Sequence, residues 1–193
     1  EGSYSVNSYL LTYMVDGEIV QSDSLAYGTI ITLFDEPAKE GYTFSGWGVV
    51  ADSVPAHDLT YEGSYSINSY VLTYVVDGEA VLTWPVVYGA TIPSLKAPEK
   101  EGYTFSGWSE TPRTMPDRNV VVSGAFSINE YKVIYLVDDN TYYTDTLEYG
   151  AGITVMKNPV KEGYTFSGWS EAPQIMPAND VTISGKFTIN KYK

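Results

Sequence analysis

The first regular stretch of the chain, residues 9–15, alternates. Tyr9, Leu11, Tyr13 and Val15 share one face, and Leu10, Thr12 and Met14 share the other. A period of two is the signature of a strand, with burial expected on the tyrosine face. Asp16-Gly17 follows, and the next run begins at Glu18. A type I′ turn needs positive φ at both central residues, which Asp-Gly supplies, so the two runs are predicted to form a hairpin. The returning strand covers about residues 18–26 and ends at Tyr27-Gly28. Residues 29–38 show no period. An irregular path with about one helical turn is expected there, with Ile31 and Phe34 pointing inward. Lys39-Glu40-Gly41 reads as a turn into a strand over 42–47. Tyr42 and Phe44 share a face of it. Strict alternation would put Trp47 opposite them, so Gly46 is expected to mark a bulge that returns Trp47 to the core.

The whole pattern then returns twice. Glu-Gly-Tyr-Thr-Phe-Ser-Gly-Trp occupies 40–47, 101–108 and 162–169, an offset of 61 each time. Tyr9 recurs as Tyr70 and Tyr131, and Asp16 as Asp77 and Asp138. Tyr27-Gly28 recurs as Tyr88-Gly89 and Tyr149-Gly150. Pro37 recurs as Pro98 and Pro159, and Pro55 as Pro116 and Pro177. Three copies, 9–69, 70–130 and 131–191, align without a gap, which chance does not produce. Residues 1–8 match 62–69 at every position but Val6/Ile67 and read as the tail of a preceding copy. Residues 192–193 match 131–132 and read as the start of a further copy. The array is therefore expected to continue. No Gly/Pro/Ser-rich linker separates copies; the junctions read Ile-Asn-Ser-Tyr at 67–70 and Ile-Asn-Glu-Tyr at 128–131. Short junctions limit bending, so an elongated, semi-rigid array is expected. Compact-domain scaling gives about 27 Å per module and roughly 80 Å for three.

Comparing copies refines the strands. The returning strand varies most, and in the second copy it carries Pro85. Proline cannot donate to a ladder, so this is expected to be an edge strand. The third copy has Asp138-Asp139 at the turn, a weaker signal. The last run is cleanest there: Val181, Ile183, Phe187 and Ile189 are expected to face in, and Thr182, Ser184, Lys186 and Thr188 out. Gly185 interrupts the inner row and repeats as Gly63 and Gly124, which predicts a close approach at that point. The fold class is mostly β, α+β at most: tandem small modules, each a mainly antiparallel sheet of about four strands.

Composition narrows the chemistry. The formal net charge is −13, which repels phosphate backbones, so nucleic acid is not an expected partner. There is no cysteine, which removes disulfides and thiolate metal sites. No apolar run is long enough to span a bilayer. The one histidine, His57, is replaced by Arg118 and Asn179 in the other copies and reads as a surface loop residue. Nucleophile triads, metal-ligand spacings, phosphate loops and calcium loops are absent from the sequence, so no catalytic residue, cofactor or metal is expected. Turn chemistry accounts for Asp16, Asp77 and Asp138. The repeated pair Lys39-Glu40 reads as a solvated turn, with a second reading as a hold on the next copy. Trp47, Trp108 and Trp169 read as core, because small domains without staples need large aromatic interiors, rather than as a glycan-stacking platform. Trp84 differs. It stands on the variable edge strand where the other copies have Asp23 and Asp145. With Tyr142 and Tyr143 on the same strand it is a candidate ligand contact, and an edge strand can also capture a partner by strand addition.

The landmarks at 9–17, 27–28, 37–47 and, in the third copy, 176–182 resemble the Listeria–Bacteroides repeat, or internalin B-repeat. The resemblance covers essentially the whole chain three times. The first copy departs from it at 54–58, Val-Pro-Ala-His-Asp, where the third has Met-Pro-Ala-Asn-Asp. The resemblance implies a β-grasp-like module of a bacterial cell-surface or secreted protein, placed between a ligand-binding region and an anchor, with no catalytic residues to transfer. The expected function is a non-catalytic spacer or stalk, monomeric, whose partners are other domains of the same surface protein. The alternative is an adhesion module for host protein, glycan or cell-wall polymer.

Overall fold

The computed structural model describes residues 2–191. Glu1 and Tyr192-Lys193, the latter expected to open a further copy, lie outside the described residues. Each copy contributes five strands, and the described residues contain no helix. In the first copy these are β1 (Ser8–Val15), β2 (Glu18–Ala26), β3 (Tyr42–Phe44), β4 (Leu59–Gly63) and β5 (Tyr65–Ile67). The second supplies β6 (Ser69–Val76), β7 (Glu79–Val87), β8 (Tyr103–Phe105), β9 (Val120–Gly124) and β10 (Phe126–Ile128). The third supplies β11 (Glu130–Val137), β12 (Asn140–Glu148), β13 (Tyr164–Phe166), β14 (Val181–Gly185) and β15 (Phe187–Ile189).

The chain packs as two units. One holds the residues through Tyr74 with Leu82–Pro93 and Glu110–Val122. The other holds Val75–Val81, Ser94–Ser109 and the residues from Ser123 on. The first copy thus lies in one unit and the third in the other, and the second contributes to both.

The predicted hairpin forms. Asp16 and Gly17 have φ of 50° and 87°, Asp77 and Gly78 52° and 87°, and Asp138 and Asp139 51° and 64°. Both turn positions are left-handed in every copy, as a type I′ turn requires. β1 and β2 pair antiparallel, with a shift of register between Tyr13 and Met14 that leaves Val20 without a partner. The same shift in β11 and β12 leaves Tyr142 as the extra residue.

The pairing is mainly antiparallel, as expected, with one parallel pair in each of the first and third copies. β1 is central, with β2 antiparallel on one side and β4 parallel on the other, Leu11 opposite Leu59 and Val15 opposite Gly63. The third copy repeats the order β12-β11-β14. A parallel neighbour needs a long crossover, and residues 27–58 provide one without a helix. The last run is also two strands rather than one. β4 belongs to the three-stranded sheet, and β5 pairs antiparallel with β3 in a separate ribbon. This corrects the expected inner row. Val181 and Ile183 are buried, but Ile189 is 62% exposed, because it stands in a two-stranded ribbon open to solvent. The helical turn expected in 29–38 is likewise absent. Backbone pairing holds that stretch instead: Gly28 N–H donates to the Val54 carbonyl, Val54 N–H to Thr29 and Ile31 N–H to Asp52.

The core forms on the face predicted. Leu11, Tyr13, Val15, Trp47 and Tyr61 are buried together, with Ile31 and Phe34 packed against them. β3 ends at Phe44, short of the expected 47, so Gly46, with a φ of 79°, turns Trp47 inward from a loop and not from a strand bulge. There the indole N–H donates to the Phe34 carbonyl at 2.8 Å. Gly63 is the expected close approach: a Cβ on it would lie 2.1 Å from the Phe44 ring. The third core gathers Val133, Tyr135, Met176, Val181 and Ile183.

Candidate functional site

Two places stand out: the joint between consecutive copies, and the variable outer strand. The joint begins with Gly41, whose φ of 75° lets the turn before β3 present bare backbone. The ring of Tyr88, from the next copy, lies on that backbone; a Cβ at Gly41 would meet it at 2.1–2.5 Å. Tyr42 meets the same ring edge-on at a centroid distance of 6.2 Å. Two backbone bonds fix the geometry, Tyr88 N–H to the Asn68 carbonyl and Asn68 N–H to the Gly41 carbonyl, each 2.9 Å. The next joint is the same in every part. Tyr149 covers Gly102, meets Tyr103 at 6.1 Å, and donates through its N–H to Asn129.

The pair Lys39-Glu40 is not merely solvated. The Lys39 ammonium lies 4.1 Å from the centre of the Tyr42 ring and 4.9 Å from that of Tyr65. Lys100 and Lys161 sit over Tyr103 and Tyr164 in the same way. Glu40 meets the Tyr88 phenol. Burial, then the charge and hydrogen bonding of Glu40, raise the pKa of that phenol above its ordinary value. The reading of Glu40 as a hold on the next copy is the one the geometry favours.

The hairpin aspartates have a further task that turn chemistry did not reveal. Asp16 Oδ1 accepts the Tyr65 N–H at 3.1 Å, and Asp77 and Asp138 accept those of Phe126 and Phe187. Each ties its hairpin to the start of the ribbon. No signal in the sequence marks these partners, because a gapless repeat keeps every interval constant.

On the variable strand, β2 and β12 are outermost in their sheets, which agrees with the edge position read from Pro85. Trp84 stands on β7, and Tyr142 and Tyr143 on β12. Trp84 is half-buried and stacks on Tyr74, centroids 5.9 Å apart and planes within 6°. Tyr142 and Tyr143 are 52% and 44% exposed. Tyr142 tilts against Trp169 and Tyr143 against Tyr135, each at 6.2 Å. His57 is exposed, and its ring is 2.9 Å from the Asp58 carbonyl. Among the described residues no three His, Cys, Asp or Glu side chains are placed to hold a metal, and no helix is long and apolar enough to cross a membrane.

Comparison with known proteins agrees with the repeat. The model of the Listeria-Bacteroides repeat domain matches residues 9–63, 70–117 and 131–190. A putative Gly-rich membrane protein of Evansella cellulosilytica is 25% identical over 98% of this chain and 26% of its own length. Internalin H of Listeria monocytogenes is 32% identical over 64% of this chain and 26% of its own. The chain thus spans about a quarter of the length of these relatives. Among solved structures, domains 3-4 of the Streptococcal High Identity Repeats in Tandem from a cell surface protein cover 64% of this chain and 98% of theirs. Their identity to it is 13% and the TM-score 0.30. With three consecutive matches that together take in most of its length, the chain belongs to the Listeria-Bacteroides repeat family.

Proposed function

We propose that this chain is a non-catalytic spacer, a stalk segment of a bacterial cell-surface or secreted protein that holds other domains of that protein away from its anchor. The observation that carries the reading is the joint. The same tyrosine covers the same glycine of the preceding copy at Gly41 and Gly102, with the same backbone bonds. A spacer needs consecutive modules that do not swivel freely. A ring seated on backbone, flanked by two hydrogen bonds, restrains the joint more than a bare peptide would. The names of the relatives, an internalin and a membrane protein, support the surface context.

Small-angle scattering tests the reading. The intact chain is expected to give an extended particle, roughly 80 Å for three modules in line. Tyr88→Ala with Tyr149→Ala is expected to broaden the distribution of distances without unfolding the modules. A compact globule for the intact chain, or an identical distribution for the double variant, would sink the proposal.

A further inference from the structure

The three copies treat the face of their central core tyrosine differently. In the first, Phe34 stands 5.7 Å from Tyr13. In the second, Leu95 replaces that phenylalanine, and Trp84 reaches in from the outer strand to stack on Tyr74. The third has neither ring. Met156 stands at the first position and Asp145 at the second. A cavity of about 240 Å³ opens there, between the outer strand and the segment 152–156. Val133, Leu147, Ile153 and Met156 give it apolar walls, Tyr135 and Tyr143 line it with rings, and Asp145 is its only charged residue.

The strap over this cavity is also held less firmly than in the second copy. The Tyr74 hydroxyl donates to the Pro93 carbonyl at 2.7 Å, whereas the equivalent bond from Tyr135 to Thr154 is 3.4 Å. Trp47 and Trp108 donate to the carbonyls of Phe34 and Leu95. The Trp169 N–H is buried without a partner. Both anchors that close the strap in the second copy are slack in the third; the first copy keeps only the indole anchor, its Tyr13 hydroxyl being buried without a hydrogen bond.

We propose that this cavity is a binding site for a planar aromatic ring that carries a cationic group. The second copy supplies the template for the ring, because its own indole occupies the corresponding face of Tyr74. Where that indole is rooted, the third copy has a carboxylate, which favours a positive charge beside the ring. Ring stacking and a charge pair at the rim of an apolar pocket are an ordinary recognition scheme for small ligands. The inference is independent of the spacer reading, since it concerns one module and not the joints.

Nuclear magnetic resonance titration of the whole chain with tryptamine tests it, with indole-3-propionate as the same ring bearing an anion. Tryptamine is expected to shift resonances of Tyr135, Tyr143 and Ile153 and to bind roughly tenfold tighter than the anion. Acetyl-Trp-Lys-amide carries the same chemistry on a peptide, and the tighter of the two cations identifies the source of the natural ligand. Asp145→Asn is expected to keep the ring and lose the preference for the cation. Asp145→Trp, the residue of the second copy, is expected to abolish binding. Absence of shifts in the third copy, equal binding of cation and anion, or unchanged binding in Asp145→Trp would overturn the proposal.

Discussion

Tyr88 lies where a side chain on Gly41 would begin. A Cβ at Gly41 would meet the base of the ring, Cγ at 2.1 Å and Cδ1 at 2.2 Å, rather than its mobile tip. The ring therefore cannot yield without leaving the joint. Gly163 is the matching residue of the third copy. It has almost the same φ, 77° against 75°, and nothing within 4 Å of its Cβ position. Within the 193 residues, Gly163 therefore offers nearly the same φ as Gly41 without a ring against it.

Gly41→Ala and Gly163→Ala share the cost of placing a side chain at positive φ, about 1–2 kcal/mol. Only Gly41→Ala also collides with a ring, which adds about 1–3 kcal/mol if the contact is kept. The expected outcome is a larger loss of stability for Gly41→Ala in urea unfolding. In the background of Tyr88→Ala the two substitutions are expected to cost the same. Equal losses in the wild-type background would show that the ring contact contributes nothing.

Alkaline pH is expected to weaken the fold. Burial raises the phenol pKa of Tyr13, Tyr74 and Tyr88 above the ordinary value. Below about pH 10 both folded and unfolded chains keep these protons. Above it the unfolded chain releases them while the folded chain retains them, so stability falls as pH rises toward the folded pKa values. Urea midpoints at fixed temperature are expected to be level through neutral pH and to decline from about pH 10 upward. A midpoint that holds level or rises in that range would contradict the assignment.

Two core tyrosines predict opposite results for the same change. The Tyr74 hydroxyl donates to the Pro93 carbonyl at 2.7 Å. The Tyr13 hydroxyl is buried beside the backbone of Phe34, close enough for that backbone to offset part of the rise in its pKa, but makes no hydrogen bond of normal geometry. Tyr74→Phe strands an acceptor and is expected to cost about 1–2 kcal/mol. Tyr13→Phe removes an unsatisfied group and is expected to be neutral or slightly stabilising. Thermal unfolding of the two variants distinguishes them, and a larger loss for Tyr13→Phe would reverse the reading.

How much of this was legible beforehand follows from where each signal resides. The hairpin was readable because Asp16-Gly17 dictates its own dihedrals. The core face was readable because alternation over residues 9–15 is local. Gly63 announced a close approach because a glycine interrupts an apolar row. The parallel pairing of β1 with β4 was not readable, since it depends on how some thirty irregular residues cross the module. Nor was the break between β14 and β15, where one alternating run serves two sheets. At the joint, Tyr88 and Gly41 were each visible as repeated landmarks. That they touch was not, because a period aligns equivalent residues and says nothing about which ones meet across copies. On the variable strand, the sequence shows that Trp84 has no counterpart ring in the third copy, but not that its indole stacks on Tyr74, since that contact depends on how the edge strand lies against its neighbour.

The third turn offers a last test, because it keeps the left-handed geometry with the wrong residue for it. Asp139 has a φ of 64° where the other copies have glycine. A non-glycine residue there costs about 1–2 kcal/mol, less for an aspartate, whose short polar side chain tolerates the region. Asp139 gains a salt bridge to Lys186 in return, at 3.0 Å, but both partners are largely exposed. Such a pair contributes about 0–1 kcal/mol and less in salt. Asp139→Gly is therefore expected to stabilise the third module by about 0.5–1 kcal/mol. The gain is expected to grow at high ionic strength, where the lost ion pair no longer matters. Lys186→Ala alone is expected to be nearly neutral. Unfolding in urea at low and high salt measures both, and a destabilised Asp139→Gly at high salt would mean that the carboxylate holds the hairpin by something other than its charge.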